Sequence, residues 1–146
     1  MKTFVFILAV VFVTGLWAFD DNDIEKEAVI KVIEDAYMNG VCNIGDVEAM
    51  KKGFHEDFSL KGISRGKLSV LPIAAWIEST KKGKADGRFP PKEKFRFEYP
   101  LIDITGTAAM VKVKFFKGKK QPYTDYLLLL KFPDGWRITD KIYFQH

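Results

Sequence analysis

The last quarter of the chain restricts its fold more than any other stretch. Residues 123–132 read YTDYLLLLKF, a Pro133-Asp134-Gly135 turn follows, and residues 136–145 read WRITDKIYFQ. Two extended runs joined by a tight turn form a hairpin. Strand side chains alternate between faces, so Leu127, Leu128, Leu129 and Leu130 place apolar groups on both sides of it. A sheet wet on one side alternates apolar with polar residues. This pair is therefore expected in mid-sheet or beneath a second covering surface, such as another subunit.

At the other end, Lys2 precedes the uncharged, mostly apolar run Phe4 to Val13, and Thr14 to Ala18 lead into Asp20-Asp21-Asn22-Asp23. A short apolar run behind one basic residue is the pattern of a secretory signal peptide, and it falls short of the about 20 residues of a membrane span. The expectation is a signal peptide over residues 1–18, cut after Ala18, and one folded domain over residues 19–146. The protein would then be secreted or periplasmic, with no membrane attachment after cleavage. A chain of that length closes one hydrophobic core.

Cys42 is the sole cysteine, so no internal disulfide can form. Beside Val41 and Ile44 it reads as a small apolar filler, with a reactive or dimer-bridging thiol as the alternative. The formal net charge is +4, and the leader carries one of those charges on Lys2. Lysines gather at Lys81, Lys82 and Lys84 and again between Lys112 and Lys120, but they interleave with strand residues or sit on turns. Solvated faces account for them, and no nucleic-acid partner is expected.

The middle of the chain reads as helices first. Asn22 caps a helix over Asp23 to Cys42, with Glu25 closing a capping box and Val29, Ile33 and Tyr37 on its apolar stripe. Asp46 caps a second, short helix that ends at His55-Glu56-Asp57, followed by an extended arm from Phe58 to Ile63. A third starts at Pro72, with Ile73, Trp76, Ile77 and Thr80 facing inward.

From Lys94 the period changes to two. Phe95, Phe97 and Tyr99 alternate in one phase, Ile102 and Ile104 in the other, and Pro100 marks the switch, where a bulge is expected. Ala109, Val111, Val113 and Phe115 then share one face. The reading is α+β: three N-terminal helices, then a four-stranded antiparallel meander curved around them as a half-open cone. Ligands would bind at its mouth.

Candidate chemistry follows from the same alternation. Trp136, Ile138, Asp140, Ile142 and Phe144 share a face if the strand is regular, which sets one carboxylate in an apolar row. A carboxylate buried without a partner tends to keep its proton and can serve as a ligand contact or general base. The plain alternative is that Asp140 only ties down the core. His55 either caps the second helix or faces the hollow. Asp125 and Tyr126 must point to opposite faces; the more apolar row places Tyr126, Leu128 and Leu130 inside. Asp125, Leu127 and Leu129 are left outside, toward a dimer contact or a pair with Lys112 or Lys114. Tyr37, Trp76 and Tyr99 would form an aromatic wall for a planar ligand, or simply core. The expected ligand-binding set is thus Tyr37, His55, Trp76, Tyr99, Tyr126 and Asp140. No metal set, nucleophile triad or phosphate-cradling glycine loop is recognisable, so no cofactor, metal or catalytic residue is assigned.

The segments GDVEAMKKGFHEDF (45–58), PIAAWIEST (72–80), IDITGTAAMVKVKF (102–115) and YTDYLLLLKFPDGWRITDKI (123–142) resemble the putative lumazine-binding family of the nuclear transport factor 2-like superfamily. The resemblance implies a cystatin-like cone with a pocket between sheet and helices, often dimeric through the outer sheet face. It brings no catalytic residue set. The expected function is a binding module for a small apolar or planar molecule, acting as a homodimer and leaning away from catalysis. The alternatives are an isomerase, cyclase or dehydratase with Asp140 as proton shuttle and Tyr126 or His55 steadying an oxyanion, and a structural protein that docks through its outer face.

Overall fold

The computed structural model describes residues 21–146, so the expected signal peptide lies outside the described residues. Helix α1 (Asp21–Val32) runs on without a break as a π-helical stretch, Ile33–Asn43. Its wider turns keep Ile33, Ala36, Tyr37 and Gly40 buried along one side. The span matches the expected helix. Glu25 reaches away from the helix start, accepting from Trp136 Nε1 at 2.7 Å and from Lys131, and so ties α1 to the C-terminal hairpin.

Helix α2 (Val47–Gly53) is capped as its sequence requires: Asp46 Oδ1 accepts from the amides of Glu48 and Ala49, each at 3.1 Å. Gly53 sets its approach to the π-helical stretch, because a Cβ there would stand 2.4 Å from Ala36 Cβ. The chain passes straight into β1 (Phe54–Ser64), before the arm expected at Phe58, and turns back as β2 (Lys67–Pro72). Helix α3 (Ile73–Ala85) buries Ile73 and Thr80, with Trp76 and Ile77 partly buried beside them.

Strands β3 (Phe95–Thr105), β4 (Ala108–Lys117), β5 (Lys120–Phe132) and β6 (Gly135–Gln145) form the expected antiparallel meander. The sheet, however, has six strands, in the order β2-β1-β6-β5-β4-β3. β1 lies parallel to β6 and antiparallel to β2. Being mostly exposed, β2 is held by main-chain pairing more than by burial, which is why hydropathy does not reveal it. The sheet is curved and unclosed, and the helices pack in its hollow.

Two bulges decide which side chains face that hollow. The first lies at Pro100 as expected, where the β3 register shifts between Glu98 and Leu101. Phe97 before it and Ile102 after it both pack toward the core. The second is in β6, where Leu128 pairs with Asp140 but Leu129 pairs with Ile138, leaving Thr139 without a counterpart. Trp136 and Ile138 point inward; beyond Thr139 the phase reverses, Lys141 turns in, and Ile142 and Phe144 turn out.

The β5 assignment is also corrected. Asp125, Leu127 and Leu129 are the buried row, while Tyr126, Leu128 and Leu130 form the outer one. The cause is the neighbouring strand. Val113, Val111 and Ala109 stand opposite Asp125, Leu127 and Leu129, and directly paired residues share a face. Leu127→Ala is expected to cost about 2–5 kcal/mol of unfolding free energy and Leu128→Ala no more than about 1 kcal/mol, read by urea denaturation. Equal losses would contradict this facing.

Candidate functional site

The buried row of β5 brings a carboxylate into the core, and the β6 bulge brings a cation to meet it. Asp125 is 0% exposed, and Lys141 Nζ lies 2.8 Å from its Oδ2. Tyr37, from the π-helical stretch, completes the cluster: its hydroxyl donates to the same Oδ2 at 2.7 Å and accepts from Lys141 Nζ. A helix and both strands of the final hairpin thus converge on one oxygen. The other carboxylate oxygen, Oδ1, is buried with no hydrogen-bond partner.

Aromatic faces replace water around the ammonium. Lys141 Nζ lies 4.3 Å from the ring centre of Tyr37, 5.5 Å from that of Tyr143 and 5.6 Å from that of Trp76. Tyr143 can lie across β1 because residue 62 is glycine; a Cβ there would meet the ring at 2.6 Å.

Tyr37, Lys141 and Tyr143 lie in the wall of a hollow of about 430 Å³, with Asp125 behind them. Trp76, Phe95, Phe115, Tyr123 and Leu60 also line it, as do Arg88 and Phe89. The volume is of the size that holds small organic molecules, and the lining has the matching chemistry: apolar walls with few polar groups.

Burial dominates the ionisation of the site. It pushes the Lys141 ammonium below the usual lysine value, although the Asp125 charge opposes the shift. It raises the Tyr37 phenol well above the usual range, and Asp125 raises it further. The Cys42 thiol, also in the wall, is likewise pushed up by burial, so it is a thiol and not a thiolate.

Of the residues expected from sequence, Tyr37 and Trp76 line this hollow, their rings 5.7 Å apart edge to face. His55 does not. It stacks on Phe132 at 5.0 Å in a separate groove whose walls include Lys51, Glu56 and Arg137. Tyr99 sits beside the β3 bulge with its hydroxyl buried and unpartnered, outside the hollow. Tyr126 is on the outer face with Lys112 Nζ 5.7 Å from its ring centre. Asp140 is corrected as well: its carboxylate turns outward to an ion pair with Lys61 and a 3.3 Å contact from Ser59. Among the described residues no His, Cys, Asp and Glu cluster has a metal-binding arrangement.

Sequence reasoning missed Lys141 and misplaced Asp125. Alternation carried unbroken through Thr139 assigns Lys141 to solvent. The unambiguous β4 row, transferred across the hairpin, would have assigned Asp125 to the interior.

Residues 24–144 match the family described as "Putative lumazine-binding". A crystal structure of a nuclear transport factor 2-like protein from Silicibacter pomeroyi superposes with a TM-score of 0.70 at 20% identity, covering 86% of this chain and 98% of that one. Another such protein, from Shewanella baltica, gives 0.69 at 25% identity, covering 88% and 98%. Over 106 residues the chain is 24% identical to "Aldolase FrzH" of a Cladobotryum species, 70% of this chain and 78% of that protein.

Removing one member of a buried ion pair leaves the other uncompensated. Asp125→Asn and Lys141→Met are each expected to lose about 3–5 kcal/mol of stability. The double variant should lose clearly less than their sum in chemical denaturation, and strict additivity would show that the pair is not coupled.

Proposed function

This chain belongs to the putative lumazine-binding family, and on that premise we propose that it binds a small, largely planar and apolar molecule in the hollow between helices and sheet. One observation carries the reading: a buried cation, Lys141, in the wall of a mostly aromatic and aliphatic hollow whose other cation, Arg88, is exposed. Apolar walls supply affinity without direction, and a buried donor selects a ligand with an acceptor oxygen on one edge. Trp76, Phe95 and Phe115 offer ring faces for a flat body, and Tyr37 fixes the position of the donor.

A second reading is catalysis on a carbonyl compound. The similarity to Aldolase FrzH supports it, together with a lysine and a tyrosine in hydrogen-bond contact at the wall. The Asp140 proton shuttle has no part in it, because that carboxylate is paired with Lys61 on the outer face.

The apolar leader, Phe4 to Val13 behind Lys2, supports an exported protein, secreted or periplasmic. A homodimer through the outer sheet face is supported by the row Tyr126, Leu128 and Leu130 beside Ile142 and Phe144. Leu128, Ile142 and Phe144 are 47%, 54% and 61% exposed.

Two measurements test these proposals. A ligand present at 100 times its Kd should stabilise the fold by about 2.7 kcal/mol in thermal unfolding. Val41→Trp, which fills the hollow from the helix side, should fold and abolish that gain; a flat response of the parent protein to flavins, pterins and aromatic carbonyl compounds would overturn the binding proposal. For the dimer, Leu128→Lys should reduce the sedimenting species to monomer, and an unaltered dimer would place the interface elsewhere.

A further inference from the structure

We propose that Lys141 captures carbonyl compounds covalently, forming an iminium with an aldehyde or ketone whose apolar ring body occupies the hollow. This rests on the hollow being a small-molecule site, and it adds a bond where that reading needs only a contact.

The geometry supplies each group the reaction uses. Lys141 Nζ lies in the wall of the hollow with its side chain 6% exposed, so a carbonyl carbon that fills the hollow can reach the nitrogen with little competing water. Asp125 Oδ2, 2.8 Å away, is placed to accept a proton from the ammonium and leave a free amine. The Asp125 Oδ1 oxygen carries no other hydrogen bond, which leaves the carboxylate with lone pairs to hold that proton. Tyr37, bonded to both groups, can hand a proton to the carbonyl oxygen and regain one from Asp125.

The step balances without any other reactant. The amine nitrogen forms a bond to the carbonyl carbon as the C=O π bond breaks, and the oxygen takes up a proton to give a carbinolamine. The C–O bond then breaks with a second proton, water leaves, and the nitrogen lone pair closes the C=N bond. The ammonium and the carbonyl compound have become an iminium and one water, with no oxidation or reduction.

Charge explains why this site suits the product. The iminium carries the same single positive charge as the ammonium it replaces, so Asp125 keeps its counter-ion, and the Tyr37, Trp76 and Tyr143 rings keep facing a cation. Burial also lowers the proton affinity of the amine. Cys42 shares the wall, but a thiol adds to an aldehyde reversibly and leaves nothing for hydride to fix.

Full-chain protein treated at neutral pH with naphthaldehyde and cyanoborohydride, then mapped by peptide mass spectrometry, tests the inference. Lys141 is expected to be alkylated ahead of surface lysines such as Lys112 and Lys131, by ~10-fold for each unit by which its pKa is lowered. Naphthylmethanol, which has the same rings and no carbonyl, should compete with that labelling. An unlabelled Lys141 together with a thermal shift from naphthylmethanol would overturn the covalent step and leave the binding site standing. An unlabelled Lys141 with no shift from either molecule would overturn both. Lys141→Arg keeps the cation and should lose the adduct at this position; if it does not fold, the mapping of the parent protein decides alone.

Discussion

A carboxylate with no solvent exposure cannot remain charged in an apolar interior unless a cation is delivered to it, and in this protein Asp125 imposes that condition on three elements at once. Lys141 must face the concave side of the sheet, which a regular β6 would forbid. The extra residue at Thr139 allows it, and the Thr139 hydroxyl donates to Leu128 O across the hairpin at 3.2 Å. Tyr37 must present its hydroxyl to the same oxygen, which fixes the π-helical stretch against β5 and β6. The cluster therefore joins helix, central strand and last strand beside the hollow.

Around this point the interior divides into packed and unpacked parts. Val29, Ile33, Met50, Phe58, Leu127 and Ile138 are nearly inaccessible and form a solid core. The hollow lies beside it, walled by rings that brace one another: Tyr37 against Phe97 at 5.0 Å, Phe95 against Phe115 at 4.7 Å, Phe115 against Tyr123 at 5.6 Å. Rings held by other rings resist collapse into empty space. An opening can thus persist next to a costly buried ion pair. The paired arrangement is expensive as a stability device, and a hydrophobic pair of similar volume would serve as well or better for folding alone. One member of the pair, Lys141, stands at the wall of the hollow, which ties the packing to the proposed site.

Several features were legible because their causes are local. Asp46 caps a helix with its own side chain, Pro100 cannot donate to a sheet ladder, and the alternation from Ala109 to Phe115 admits one facing only. The final hairpin follows from the turn at Pro133 to Gly135. Tyr37 and Trp76 were recognisable as wall candidates because helical periodicity places each on an inward stripe. The parallel pairing of β1 with β6 was not legible, since a parallel neighbour leaves no turn to announce it and β1 shows no regular burial alternation. Asp140 misled for a related reason. Its apolar neighbours belong to its row only if the strand is regular, and nothing in the side chain of Thr139 declares a bulge.

By itself the sequence determined the class of fold, the elements of the meander and the family to which the chain belongs, because propensities, caps and turns act over a few residues. Which face of β5 is buried, which acid meets which base and where a hollow is left were decided only in the folded molecule. Facing is inherited from the strand alongside, one added residue inverts every side chain that follows, and an ion pair forms between groups that the chain alone does not bring together.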